Sequence, residues 1–268
     1  MQMTPIVKQL LILNIIMFVG SYIVPNADDI FALHYWGDDH FRVWQLVTHM
    51  FMHGGIAHIF FNMFALISFG SVLEHYWGTR KFLFFYFSCG LGAAALQLGI
   101  THIEIQDMLE GAARLNLTDS LRHSILNLSL AQNGELFKEG VIDLLDKSGR
   151  GHLLNQENFN VLARAAIHTQ TPMVGASGAI YGLLVAFAFM FPMAELAMFF
   201  IPIPIKAKYF VPGLIAMDII AGLNGSSLFG SNEIGGVAHF AHVGGAVIGF
   251  LLIWSWRYKK YGKIDRWD

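Results

Sequence analysis

"MVGASGAIYG", residues 173–182, sets Ser177 between small residues at the mouth of an apolar run. Glycines around a serine suit either close helix packing or a nucleophile that a substrate backbone must approach. The choice between the two turns on what else in the chain is polar at the same depth.

The surrounding composition is that of a membrane protein. The 268 residues are 55% hydrophobic and 13% charged, with a mean hydropathy of +0.51; soluble domains carry roughly 25% charged residues. Six apolar segments stand at bilayer spacing: Ile6–Val24, Ala57–Leu73, Phe82–Ile100, Ser177–Pro192, Phe210–Leu223 and Val237–Trp256. The first is longer than a usual signal-peptide core and no A-x-A-like site follows it, so it is expected to stay as a membrane helix. The fourth and fifth are short or carry Gly, Pro and Asp218, which suits helices shielded inside a bundle. Arg80 and Lys81, Lys206 and Lys208, and the basic tail at 259–268 fall on one side. The positive-inside rule then puts both termini in the cytoplasm, and the expected location is a bacterial inner membrane. A net charge of −2 gives no basic footprint for nucleic acid. The single Cys89 excludes an intrachain disulfide.

The expected organisation is helices 1–3 over residues 1–100, an extramembrane helical insertion over 101–171, and helices 4–6 over 172–258. The insertion is too short, taken alone, to count on an independent core. Its "DKSGRGHLLNQE" (146–157) has the outline of a calcium-binding EF-hand loop, but Arg150 stands where a ligand oxygen belongs. A helix–turn–helix is the expected reading. Asn116-Leu-Thr118 and Asn127-Leu-Ser129 match the glycosylation sequon, a pattern short enough to recur by chance.

Three polar clusters share one membrane depth. His49, His53, His58 and Asn62 open the second span; Ser177 and Tyr181 open the fourth; His239 and His242 open the sixth. Polar groups in hydrocarbon are costly unless partnered, so three clusters at one level imply a shared wet cavity. His58 and Asn62 share a helix face, as do Ser177 and Tyr181. Gly178 and Gly182, facing a stripe of His242, Gly245 and Gly249, allow the fourth and sixth helices to approach closely. That approach brings Ser177 within reach of His242, and a neutral histidine is the usual base for a serine nucleophile. The Asn62 amide, the His58 ring and a backbone N–H at the start of the fourth helix can stabilise an oxyanion. No acidic residue lies near His242 in sequence, so a Ser–His dyad without a carboxylate is expected, with Tyr181 orienting the imidazole. His239 is a competing base, expected to be structural. His49 and His53, four apart, suit a metal or loop hydrogen bonds; the expectation is no metal.

These residues resemble the rhomboid intramembrane serine proteases. The resemblance rests on "GASG" (175–178) with Tyr181 four after the serine, "AHVGGAVIG" (241–249), and His53, His58 and Asn62 of the second span. "LEHYWGTRKF" (73–82), with Glu74, and the first-loop Trp44 add to it. It implies an all-α, six-helix bundle with a cavity open to the outside, a Ser177–His242 dyad, and oxyanion stabilisation by His58, Asn62 and the Ser177 N–H. Gly175, Gly178, Gly245, Gly249, His53, Tyr181 and Glu74 would be supporting residues. The implied activity is cleavage of transmembrane protein substrates in the lipid bilayer, without cofactor. Where many members have Trp-Arg, this chain has Trp44-Gln45, and its third loop is longer than usual. The rival classes are an inactive rhomboid-like chaperone that binds membrane helices and a His-lined transporter. The transporter reading needs ionisable residues through the full membrane depth, which the inner half lacks.

Overall fold

Helix α1 (Pro5–Ser21) begins with proline in its first turn, where a missing N–H is harmless. No side chain of its own caps it. Glu74, far along the chain, does so: its two oxygens accept from the N–H groups of Ile6 at 3.1 Å and Val7 at 3.0 Å. A carboxylate satisfies the orphan donors of a helix start and complements its dipole.

The computed structural model describes residues 2–131, 134–198, 201–224 and 239–260. The expected basic tail at 259–268 lies mostly outside them, as do the loop after the fifth span and the start proposed for the sixth. After α1 come the short helices α2 (Ala27–Phe31) and α3 (Gln45–Thr48). Next, α4 (Ile56–Ala65), a π-helical turn (Leu66–Gly70) and α5 (Ser71–Trp77) join into one span, followed by α6 (Thr79–Glu110). Three short helices follow, α7 (Asp119–Leu126), α8 (Glu135–Lys147) and α9 (Gln156–Gln170). The chain then returns through α10 (Ser177–Met190), α11 (Ala207–Asn224) and α12 (His239–Lys260).

Among the described residues, Ile56–Trp77, Thr79–Glu110 and His239–Trp256 are long and apolar enough to cross a membrane, and Pro5–Ser21 and Ser177–Met190 are shorter apolar helices. The fold is the expected helical bundle, with two local departures from the sequence expectation. First, the stretch between α10 and α11 is a two-stranded antiparallel hairpin, β1 (Glu195–Met198) against β2 (Ile201–Lys206), not a plain loop. Second, α6 does not end near residue 100 but runs on to Glu110.

That overhang is what the insertion packs on. Ile105 of α6 joins Phe137, Val141 and Leu145 of α8 and Val161, Leu162 and Ala165 of α9 in a second apolar cluster, which also takes in Tyr35 from the first loop. The insertion therefore has a core, shared with its neighbours. The 146–157 stretch is a turn between α8 and α9. Arg150 is spent on the carbonyls of Asn116 and Ser148, and Asn155 caps α9 by a reciprocal pair with Asn158 at 2.9 Å each way.

The bundle closes around α10, whose Gly178, Ala179, Ile180, Gly182, Leu183 and Ala186 are buried. At 14 residues α10 is short for a span, consistent with its place among α6, α11 and α12 rather than against lipid. A Cβ added to Gly245 would fall on the Gly178 carbonyl, and one on Gly249 would lie 2.7 Å from the Gly182 Cα. Glycine is what allows these two backbones to touch.

Candidate active site

Ser177 is the first residue of α10, so its own N–H has no helical partner to give to. The turn before it needs Gly175, whose φ of +121° few side chains adopt, and whose N–H donates to the His49 carbonyl at 2.9 Å. A Cβ at 175 would also lie 2.7 Å from His58 Nε2 and 3.6 Å from Ser177 Oγ. Glycine here lets the histidine ring and the serine hydroxyl converge. Leu33 and Met173 exchange backbone hydrogen bonds of 2.8 and 2.9 Å, which fasten the first loop to the strand entering Ser177.

Across the glycine contact, His242 brings Nε2 to 2.9 Å from Ser177 Oγ. The Tyr181 ring stacks on the imidazole, centroids 4.2 Å apart and 11° from parallel. His239, the rival base, has its Nδ1 2.6 Å from Asp218 Oδ1.

Asp218 corrects one expectation. His242 does have a carboxylate beside it: its Nδ1 lies 3.1 Å from Asp218 Oδ1, and the Tyr181 hydroxyl donates to Asp218 Oδ2. Asp218 sits on α11, the helix over the expected fifth span, 24 positions before His242.

On α4, Asn62 is buried and its amide nitrogen has no partner among the described residues. His58 accepts weakly from the Gly54 N–H at 3.4 Å, and its ring meets that of His53 edge-on at 5.1 Å. His53 is buried, and burial, then the nearby His58, pulls it down to about 3 against a smaller raising effect of the Phe51 backbone. His49 donates from Nδ1 to the Gln45 carbonyl, and burial pulls it down to about 4. Both are loop imidazoles held neutral.

Glu74 is not part of this constellation. It sits sixteen residues beyond His58 along the same span, roughly 24 Å at the helical rise, and caps α1. Gln45 stands where many rhomboids have arginine. Buried, it accepts from Arg42 N–H at 3.0 Å and donates to the Asp29 and His40 carbonyls at 2.9 Å, ordering the first loop without a charge.

Among the described residues, two groups have metal-ligand chemistry: Asp218, His239 and His242, and, in the first loop, His34, Asp38 and His40. In both, imidazole and carboxylate already meet at 2.6–3.1 Å, hydrogen-bond separations. Burial would raise the Asp38 carboxyl, but hydrogen bonds from His34 and from the His40 backbone and ring hold it below the ordinary carboxylate range.

A family model described as the rhomboid domain matches residues 40–109 and 154–259. A mitochondrial rhomboid protein of Schizosaccharomyces pombe, itself described as uncharacterised, is 28% identical over 225 residues, 81% of this chain and 52% of that protein. The rhomboid protease GluP of Bacillus subtilis is 42% identical over 48 residues, 18% of this chain and 10% of its own length. Rhomboid protein 1 of Saccharomyces cerevisiae, also mitochondrial, is 33% identical over 93 residues, 35% of this chain and 24% of its own. The chain thus spans about half the length of the S. pombe relative and less of the other two. Two of the three relatives are mitochondrial, which leaves a bacterial inner membrane without support. With the family model covering most of the chain on both sides of α7 and α8, the protein belongs to the rhomboid family.

Proposed function

We propose that the protein is an intramembrane serine endopeptidase. The observation that carries this reading is the 2.9 Å approach of His242 Nε2 to Ser177 Oγ at the open start of α10. Serine is a weak nucleophile until a base takes its proton, and a neutral imidazole at hydrogen-bond distance is such a base. Oγ adds to the scissile carbonyl carbon while its proton passes to Nε2. The carbonyl electron pair moves onto oxygen, where the Ser177 N–H, the Asn62 amide (unpartnered among the described residues) and the His58 ring can receive it. Collapse expels the amine, which takes the proton from His242, and water releases the acyl group by the same steps in reverse order.

The substrates are transmembrane segments of other membrane proteins, reached within the bilayer; Gly175 keeps the approach to Ser177 clear of a side chain that would otherwise crowd His58, while Gly178 serves the packing of α10. The site opens on the side away from Arg80, Lys81, Lys206 and Lys208, and both termini share the basic side.

The test is cleavage of a single-span substrate in proteoliposomes. Ser177→Ala should abolish it, and His242→Ala should cost far more than His239→Ala. Persistent cleavage by Ser177→Ala would refute the nucleophile, and equal loss at both histidines would refute the choice of base. A wild type that binds substrate helices and never cuts them would favour the chaperone.

A further inference from the structure

We propose that Asp218 is a positioning residue for this reaction, so that the site works as a Ser177–His242–Asp218 triad. The inference rests on the protease reading above and adds to it the group that sets the state of the base. For Ser177 to donate to Nε2, the neutral His242 must carry its proton on Nδ1. Asp218 Oδ1, 3.1 Å from Nδ1, accepts that proton's hydrogen bond and so selects this tautomer over the unproductive one.

The carboxylate is itself held from two helices. His239 Nδ1–H donates to Oδ1 at 2.6 Å, and the Tyr181 hydroxyl donates to Oδ2. Tyr181 also stacks on His242, so the tyrosine fixes both the ring and the acceptor that the ring faces. Asp218 is only 5% exposed, and among the described residues its ion-pair partners are the two imidazoles. A buried carboxylate in a membrane helix is expensive and marks function by default. Among the described residues no arginine or lysine pairs with it; the counter-charge appears when His242 takes the serine proton. The attraction is therefore stronger in the transition state than in the resting enzyme, which is the condition for accelerating the chemical step. Asp218 stays ionised throughout. The proton moves from Oγ to Nε2 and on to the leaving amine, and none passes to the carboxylate.

The experiment measures the rate of fluorophosphonate labelling of Ser177, and substrate cleavage against pH, in the full chain in proteoliposomes. The groups around His242 are Asp218 on α11, His239 on α12, Tyr181 on α10 and His58 on α4. Asp218→Asn keeps the shape and removes the charge. It should slow labelling about 100-fold or more, by the scale seen for serine-protease triads, with little change in KM. It should also move the acid limb of the cleavage profile to lower pH, because the anion that favours the imidazolium is gone. A structural defect would lower the folded fraction and leave the limb in place. Labelling of Asp218→Asn at the wild-type rate per folded molecule, or an unmoved limb, overturns the triad while the protease reading stands. Wild type that fails to label at Ser177 overturns both. Should Asp218→Asn not fold, nitrogen NMR of the wild-type imidazoles decides: His242 protonated on Nδ1 supports the assignment, and on Nε2 overturns it.

Discussion

The contact beneath Ser177 and the core of the insertion are both packings of helices, closed by opposite means. Between α10 and α12, side chains are absent where the helices cross: Gly178 meets Gly245 and Gly182 meets Gly249, backbone on backbone. In the insertion, Phe137, Val141, Leu145 and Leu162 fill the space between α8 and α9. Lipid is as apolar as leucine, so burying leucine gains little in a bilayer, and helices there associate through close approach. Beside water, burial of apolar area supplies roughly 25 cal/mol per Å². The bundle should be intolerant of added atoms, and the insertion intolerant of removed ones.

The hardest blow to that contrast is a single methyl. In Gly245→Ala the new Cβ would fall on the Gly178 carbonyl, which cannot rotate aside as a side chain could. The two helices must separate, and His242, one turn earlier on the same stripe, moves away from Ser177 with them. A misplacement of about 1 Å can cost 100-fold in rate, and a loss of that order is expected in Ser177 labelling. Gly99→Ala on α6, where the added methyl meets nothing within 4 Å, should label like wild type. Normal labelling of Gly245→Ala would mean that the crossing has slack, and the distinction between the two regions would fail.

The same contrast explains what was readable in the sequence. Spacings of three and four along one helix are local, so Ser177 with Tyr181, His58 with Asn62, and His242 with its glycines were visible as shared faces. Two such stripes of glycine also told which helices meet. Asp218 was not connected to His242, because 24 positions and a helix crossing separate them (242 − 218 = 24) and no periodicity relates one helix's register to another's. Its signal was present all the same: one carboxylate inside an apolar span. Taken as a mark of a shielded helix, it was also a mark of a polar partner. Glu74 is the reverse case. It stands next to informative residues in sequence, while its partners, the N–H groups of Ile6 and Val7, lie 68 and 67 positions away. The hairpin had a cue in the alternation of Ile201, Ile203 and Ile205, though Pro202 and Pro204 argue against a regular strand.

In the insertion the effective change is removal. Phe137 is 1% exposed at the centre of the second cluster, so Phe137→Ala should destabilise that region by about 3–5 kcal/mol. Protease sensitivity or hydrogen exchange within α8 and α9 would report it, with Ser177 labelling unchanged. The route by which the prediction can fail is specific. Tyr35 belongs to the same cluster, and two residues earlier Leu33 is bonded to Met173, on the segment that leads into Ser177. Slower labelling in Phe137→Ala would mean that the insertion's core braces the site through the first loop, joining two regions set apart here.

The smallest effect lies at the turn between α8 and α9, where the calcium-loop outline and the observed hydrogen bonds compete as accounts of the same residues. Asn155 and Asn158 cap each other's backbone N–H, so Asn155→Ala should cost about 1 kcal/mol, seen as slightly faster exchange in the first turn of α9. Arg150 puts a guanidinium at the fifth loop position and bonds it to the Asn116 and Ser148 carbonyls. A cation bound here would meet that charge, and moving the arginine would forfeit both bonds. Calcium should therefore leave the exchange of α8 and α9 unchanged in the wild type and in Glu157→Gln alike. Protection that rises with calcium and disappears in Glu157→Gln would show that the loop can expel its arginine. The insertion would then hold its helices by a ligand as well as by apolar bulk, a means of closure that the bundle does not share.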